Sequence, residues 1–117
     1  DTDASDECMF APHHPAVLAK IADVIQCCQE KKLQVSVCGE MASDSAYVPL
    51  LLGAGLQIFS VAPRGARSVY DAIEGLNYNE CRTLLRAVLA SDGPIASLRL
   101  LEDFNREQRE RKLSDSP

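Results

Sequence analysis

Two strand-like segments separated by a helix constrain the fold of this chain more than any other feature. Residues 33–38 alternate between aliphatic side chains and polar or small ones, and residues 56–61 form a second run rich in apolar residues. Helical patterns precede, separate and follow these segments, an order that predicts parallel strands and an α/β fold. Two strands cannot by themselves close a barrel or form a covered sheet, so the sequence predicts part of a larger structure.

The helices can be placed by their apolar spacing and their end signals. The predicted helices are 15–31, starting at Pro15; 48–52, stopping at Gly53 or Gly55; one carrying Val69, Tyr70 and Ile73; one after a capping-box pattern at 77–80; and one over 95–104. Residues 1–11 lack periodicity and are predicted to be a flexible lead-in. Residues 105–117 are predicted to be a charged tail, in which opposite charges four residues apart form a solvated face.

Composition excludes several classes of protein. The 117 residues are 46% hydrophobic, enough for one domain with a core, and the net charge of −5 offers no basic surface to nucleic acid. No apolar stretch approaches the roughly 20 residues that a membrane helix needs. The five cysteines show no CxxC spacing. This pattern argues against a disulfide framework and a zinc site, and it favours a cytoplasmic location.

Cys38 is the strongest candidate for chemistry. Alternation divides the first strand into a helix-covered face and an opposite face that ends in Cys38. The covered residues are Leu33, Val35 and Val37, and the opposite ones are Gln34, Ser36 and Cys38. Cys38 then lies at the carboxyl end of a strand, where the active sites of barrel enzymes are found. From the residues alone, a small core cysteine remains the alternative.

Two pairs of residues are weaker candidates. His13 and His14 look like a ligand pair, but adjacent side chains point apart and no acid or cysteine lies at metal spacing, which favours a helix entry. Arg64 and Arg67 follow the second strand at the same end as Cys38 and could attract a phosphate. Arginines are also common at the exposed start of a helix, so this signal is unspecific.

Four segments carry a family resemblance. They are Pro-His-His-Pro-Ala-Val-Leu at 12–18, Val-Cys-Gly-Glu-Met-Ala-Ser-Asp at 37–44, Val-Pro-Leu-Leu-Leu-Gly-Ala-Gly at 48–55 and Phe-Ser-Val at 59–61. In this order and spacing they resemble the phosphoenolpyruvate-utilising enzymes, and within them the enzyme I-like phosphotransferases of the bacterial sugar phosphotransferase system. The resemblance extends from about residue 12 to about residue 89.

The resemblance implies a fold and a site. Residues 12–104 would be the C-terminal quarter of a (β/α)8 TIM barrel, two parallel strands with flanking helices, with 33–38 as the seventh strand and 56–61 as the eighth. Cys38 would be the catalytic general acid that protonates the enolate carbon. Gly39 and Glu40 would bind the substrate, Gly39 through its backbone and Glu40 by orienting the thiol or bonding the loop.

The resemblance also implies a reaction and partners for the parent protein. The parent would transfer a phosphoryl group from phosphoenolpyruvate to a protein histidine and release pyruvate. It would use Mg²⁺ held by residues outside this chain, so no metal ligand is assigned within it. A phosphocarrier protein would bind a separate N-terminal domain, and this fragment alone is expected to be inactive. Because its strand edges are open, the isolated chain is expected to be a homo-oligomer.

Two alternatives remain open. The parent could be a pyruvate phosphate dikinase or a phosphoenolpyruvate synthase, although residues 38–42 look closer to the enzyme I version. The chain could also be a non-catalytic module whose apolar faces mediate self-association.

Overall fold

The computed structural model describes residues 13–37 and 40–115, and residues 1–12 are not among them. The helices are α1 (Pro15–Glu30), α2 (Glu40–Ser43), α3 (Val48–Gly53), α4 (Pro63–Glu74), α5 (Tyr78–Leu89) and α6 (Pro94–Asp115). A 3-10 turn at Ser45–Tyr47 joins α2 to α3. The strands are β1 (Ser36–Val37) and β2 (Ile58–Phe59). The described part of the chain is therefore a mostly helical α/β structure.

The two strands pair in parallel, as the sequence predicts. Ser36 lies opposite Ile58 and Val37 opposite Phe59. Both strands are shorter than the predicted six residues, because only the residues that face a partner across the pair form ladder hydrogen bonds. Val35 and Val37 pack against the core while Gln34 and Ser36 are exposed, which confirms the predicted alternation over these four residues. The expectation for Leu33 is wrong: it lies before the paired segment and is 59% exposed.

The buried side chains form two clusters. The helical core joins α1, α3, α5 and α6 and consists of Leu18, Leu50, Leu84, Leu85, Val88 and Leu101. The sheet-side core consists of Ile25, Leu51 and Leu56, with Val35, Val37 and Phe59 packed against it. Met41 and Ala54 contact both clusters. Helix α3 links them, because its consecutive residues Leu50 and Leu51 face one cluster each.

Local signals explain where two of the helices end. After α1, Lys32 adopts a φ of 58°, and the amide of Leu33 donates to the carbonyl oxygen of Cys28. After α3, Gly55 adopts a φ of 98°, and the amide of Leu56 donates to the carbonyl oxygen of Leu51. Both ends have the six-to-one hydrogen bond of a Schellman motif, in which a left-handed residue terminates the helix. The prediction that a glycine terminates α3 is confirmed, at Gly55.

Gly53 has a different role from Gly55. A side-chain carbon added at Gly53 would clash with the carbonyl oxygen of Cys81 and lie 2.8 Å from its carbonyl carbon. Gly53 therefore allows the backbones of α3 and α5 to approach closely, a contact that the predicted turn-forming role did not include.

The last helix differs from its prediction. Helix α6 does not end near residue 104 but continues to Asp115, so residues 105–115 are helical. Within it Arg106 pairs with Asp103 at 3.0 Å, not with Glu102 or Glu110. Arg111 reaches across to Glu80 of α5 at 2.9 Å. None of the described helices is both long enough and apolar enough to cross a bilayer.

Candidate functional site

The carboxyl ends of β1 and β2 define the position of the candidate site. The parallel register brings the two ends side by side, and the amide of Ser60 donates to the carbonyl oxygen of Val37 at 3.1 Å. Cys38 and Gly39 lie outside the described residues, and Glu40 begins α2. The chain thus leaves β1 for the Cys-Gly-Glu motif at the same edge where it leaves β2 for α4. The roles of Cys38, Gly39 and Glu40 stay predictions.

The segment after the motif is fixed from several sides. Ala42 is fully buried, and Met41 packs against both cores. The carboxylate of Asp44 accepts a hydrogen bond from the amide of Ala46 at 3.0 Å and caps the 3-10 turn. From α6, the side-chain amide of Asn105 donates to the carbonyl oxygen of Ala46 at 3.1 Å. The sequence prediction did not include Asn105, because the predicted last helix ends at residue 104, whereas α6 continues to Asp115.

The arginines beyond β2 lie near this edge but do not form a defined anion site. Arg64 is exposed in the first turn of α4. The Nε atom of Arg67 lies 3.2 Å from the carboxylate of Asp71 one turn later. The charge of Arg67 is therefore already compensated on the surface of α4, and the structure adds nothing to the weak phosphate interpretation.

The histidines before α1 are a helix entry, as expected. His14 is the N-cap residue, and its Nδ1 accepts a hydrogen bond from the amide of Ala16 at 3.1 Å. The carbonyl oxygen of His13 accepts a hydrogen bond from the hydroxyl of buried Ser97 on α6. These contacts fix the start of α1, the one through the His13 backbone and the other through the His14 side chain.

The described cysteines differ in exposure. Cys27 is exposed, Cys28 is half-buried and Cys81 is fully buried. Burial, and secondarily the negative charge of Glu80, raises the pKa of the Cys81 thiol to about 11. At neutral pH this thiol is protonated and shielded from solvent, so Cys81 is a core residue. Among residues 13–37 and 40–115, no group of three or more His, Cys, Asp or Glu side chains could hold a metal ion.

An open cleft lies at the other end of the strands. It has a volume of about 910 Å³ and is lined in part by Leu33, Val35, Leu56 and Ile58. Most of its lining precedes or begins the strands, so the cleft is separate from the edge that carries the motif. The exposed Leu33 and Ile58 make it apolar surface that the described residues leave uncovered.

Comparisons with known proteins agree with the resemblance. The family profile of the PEP-utilising enzyme PEP-binding domain matches residues 2–78. A phosphoenolpyruvate-protein phosphotransferase from Chlamydia trachomatis is 37% identical over 76 residues, which cover 65% of this chain and 13% of that protein. The Mycoplasma genitalium protein of that name is 32% identical over 96 residues, 82% of this chain and 17% of the relative. The Staphylococcus epidermidis one is 37% identical over 84 residues, 71% of this chain and 15% of the relative.

This chain matches only a small part of each relative. The chain spans between 13% and 17% of the length of these three relatives, so their similarity concerns one region of a longer enzyme. Within this chain, the family profile covers the motif, both strands and the helices from α1 to α4. The chain therefore belongs to the PEP-binding domain family of the phosphoenolpyruvate-utilising enzymes.

Proposed function

We propose that this chain is part of the phosphoenolpyruvate-binding barrel of a phosphoenolpyruvate-protein phosphotransferase. The observation that carries the proposal is the match of residues 2–78 to the PEP-binding domain, together with the names of the three relatives. The parent enzyme would transfer a phosphoryl group from phosphoenolpyruvate to a protein histidine and release pyruvate. A phosphocarrier protein as partner and a cytoplasmic location belong to the same proposal.

The barrel assignment is supported by the parallel strands and their open surface. β1 and β2 would be the seventh and eighth strands of a (β/α)8 barrel, with helices on their covered side. Leu33 and Ile58 are 59% and 40% exposed beside the cleft, and neighbouring barrel elements would cover them. Residues 12–104 would form the barrel fragment, with α6 extending beyond it through the charged residues.

The chemistry proposed for Cys38 is a proton transfer. When the bond between phosphorus and the enolate oxygen breaks and phosphorus bonds to the acceptor histidine nitrogen, pyruvate leaves as its enolate. The Cys38 thiol would donate its proton to the enolate carbon, and the thiolate would recover a proton from solvent. Gly39 would allow the backbone to approach the substrate, and Glu40 would orient the thiol. Any Mg²⁺ would be held by residues outside this chain, and no step here depends on its position.

Replacement of Cys38 in a longer protein that contains this sequence tests the proposal. Cys38→Ala should lower steady-state phosphotransfer about 10²- to 10⁴-fold while phosphoenolpyruvate binding persists, because only the proton donor is removed. Cys27→Ala is the matched control, since Cys27 is exposed on α1, and it should retain full activity. A Cys38→Ala enzyme with more than about a tenth of the activity would refute the general-acid role.

The alternatives give different results. A dikinase or a synthase would not pass the phosphoryl group to a separate carrier protein, so identifying the phosphorylated product distinguishes them from a protein phosphotransferase. A non-catalytic module would associate through the apolar surface around Leu33 and Ile58 and would show no phosphotransfer in any longer context.

For the isolated chain we propose self-association, measured by light scattering across a concentration series. A stable monomer at high micromolar concentration would mean that the chain buries its apolar surface without a second copy.

A further inference from the structure

The hydrogen bond from Asn105 to Ala46 joins two parts of the chain that are distant in sequence. Asn105 is half-buried near the middle of α6, and its Nδ2 atom lies 3.1 Å from the carbonyl oxygen of Ala46, 59 residues earlier. Ala46 lies in the 3-10 turn between the Cys-Gly-Glu motif and α3. Helix α6 therefore contacts the segment that follows the candidate site.

Polar contacts hold the described backbone on either side of the motif. Before it, the carbonyl oxygen of Val37 accepts a hydrogen bond from the amide of Ser60 beyond β2. After it, the carbonyl oxygen of Ala46 accepts a hydrogen bond from Asn105. Within the described residues 40–46, Met41 packs against both cores and Ala42 is fully buried. Apolar packing is non-directional, whereas a hydrogen bond fixes the orientation of the peptide that accepts it.

Helix α6 is itself anchored on both sides of Asn105. The hydroxyl of Ser97 bonds to His13 before α1, and Arg111 makes two contacts of 2.9 and 3.0 Å with the carboxylate of Glu80 on α5. Leu101 is buried in the helical core, one turn before Asn105. These contacts fix the position of the Asn105 amide, so it can act as a rigid support for the turn.

We propose that Asn105 is a positioning residue for the candidate site, holding residues 40–47, which follow Cys38 and Gly39 in the chain, in the geometry that the reaction needs. This inference rests on the proposed function, because the reaction it serves is the phosphotransfer assigned above. It adds a functional requirement for α6, which lies wholly beyond residue 78, where the match to the PEP-binding domain ends. Asn105 acts through the backbone of Ala46 and does not touch the reacting atoms.

The test uses Asn105→Asp in a longer, active protein that contains this sequence. The carboxylate has nearly the size of the amide but offers no donor to the carbonyl oxygen of Ala46. We expect kcat to fall about tenfold and KM for phosphoenolpyruvate to change less than about twofold, because small misplacements of reacting groups slow the chemical step. Amide hydrogen exchange should accelerate at residues 40–47 and stay unchanged at Leu84, Leu85 and Val88 of α5.

Arg106→Ala is the matched control, because it also removes a side-chain contact from α6, but one that stays within the helix. It should change neither kcat nor exchange at residues 40–47. An unchanged kcat for Asn105→Asp, exchange that rises equally in α5, or an equal effect of Arg106→Ala would each overturn the proposal. If the unaltered protein lacks phosphotransfer, the proposed function fails, and the exchange comparison without substrate still decides whether Asn105 holds the segment.

Discussion

The helical core and the sheet-side core are built from similar residues but are closed to different degrees. In the helical core, α1, α3, α5 and α6 supply partners for one another, and Leu18, Leu50 and Leu101 are at most 2% exposed. Beside the sheet-side core, Leu33 and Ile58 stay half open to solvent around the cleft. A helix forms its backbone hydrogen bonds internally, whereas a strand forms them with neighbouring strands, and β1 and β2 each have one neighbour among the described residues. The described part of the chain thus closes its helical core more completely than the surface beside its strands.

The largest expected effect comes from truncating one leucine in each region. Leu50→Ala should lower the free energy of unfolding by about 2 to 5 kcal/mol, because Leu50 is fully buried between helices. Leu33→Ala, its matched change on the open side, should cost less than about 0.5 kcal/mol. Urea unfolding followed by circular dichroism at low protein concentration measures both. Equal losses would contradict the difference in closure between the two regions.

A smaller effect is expected where the backbones of α3 and α5 meet. Gly53→Ala should destabilise the fold by about 1 to 3 kcal/mol, because the new methyl group would collide with the backbone of Cys81. Gly93→Ala is the control, since nothing lies within 4 Å of the added carbon there, and its cost should stay under about 1 kcal/mol. Thermal unfolding of the two variants compares them directly. A Gly53→Ala protein as stable as Gly93→Ala would show that α3 and α5 can move apart without loss of stability.

The smallest effect is the response of the helical part to alkaline pH. The folded-state pKa of the Cys81 thiol is raised from 9.0 to about 11, first by burial and then by Glu80. Its contribution to stability is therefore present below about pH 9 and is lost as the pH rises through about 11. Unfolding free energies between pH 8 and pH 11 should decline more steeply for the unaltered chain than for Cys81→Ala. Equal declines in the unaltered chain and in Cys81→Ala would mean that ionisation of the Cys81 thiol does not destabilise the fold.

Local sequence signals were reliable wherever a residue acts on its own neighbours. Pro15 begins α1, and the side chain of Asn77 accepts from the amide of Glu80 at the start of α5. In a complete capping box the carboxylate of Glu80 would accept a hydrogen bond from the amide of Asn77. Here that carboxylate pairs instead with Arg111 of α6. Tyr70 and Ile95, assigned to apolar stripes, are 58% and 77% exposed. The spacing of apolar residues identifies the apolar face of a helix. How much of that face is buried depends on which other elements pack against it.

The sequence by itself determined where most of the long helices lie, the parallel pair of strands and the motif that identifies the family, because these depend on periodicity, end signals and residue order. Only the tertiary structure decided that Gly53 lies against Cys81, that Arg111 pairs with Glu80 and that Asn105 holds Ala46. In each of these contacts the two partners lie on different elements, so neither residue carries a local signal of the other. Contacts of this kind arise when apolar burial brings the helices together and polar groups then satisfy one another at the positions that packing has set.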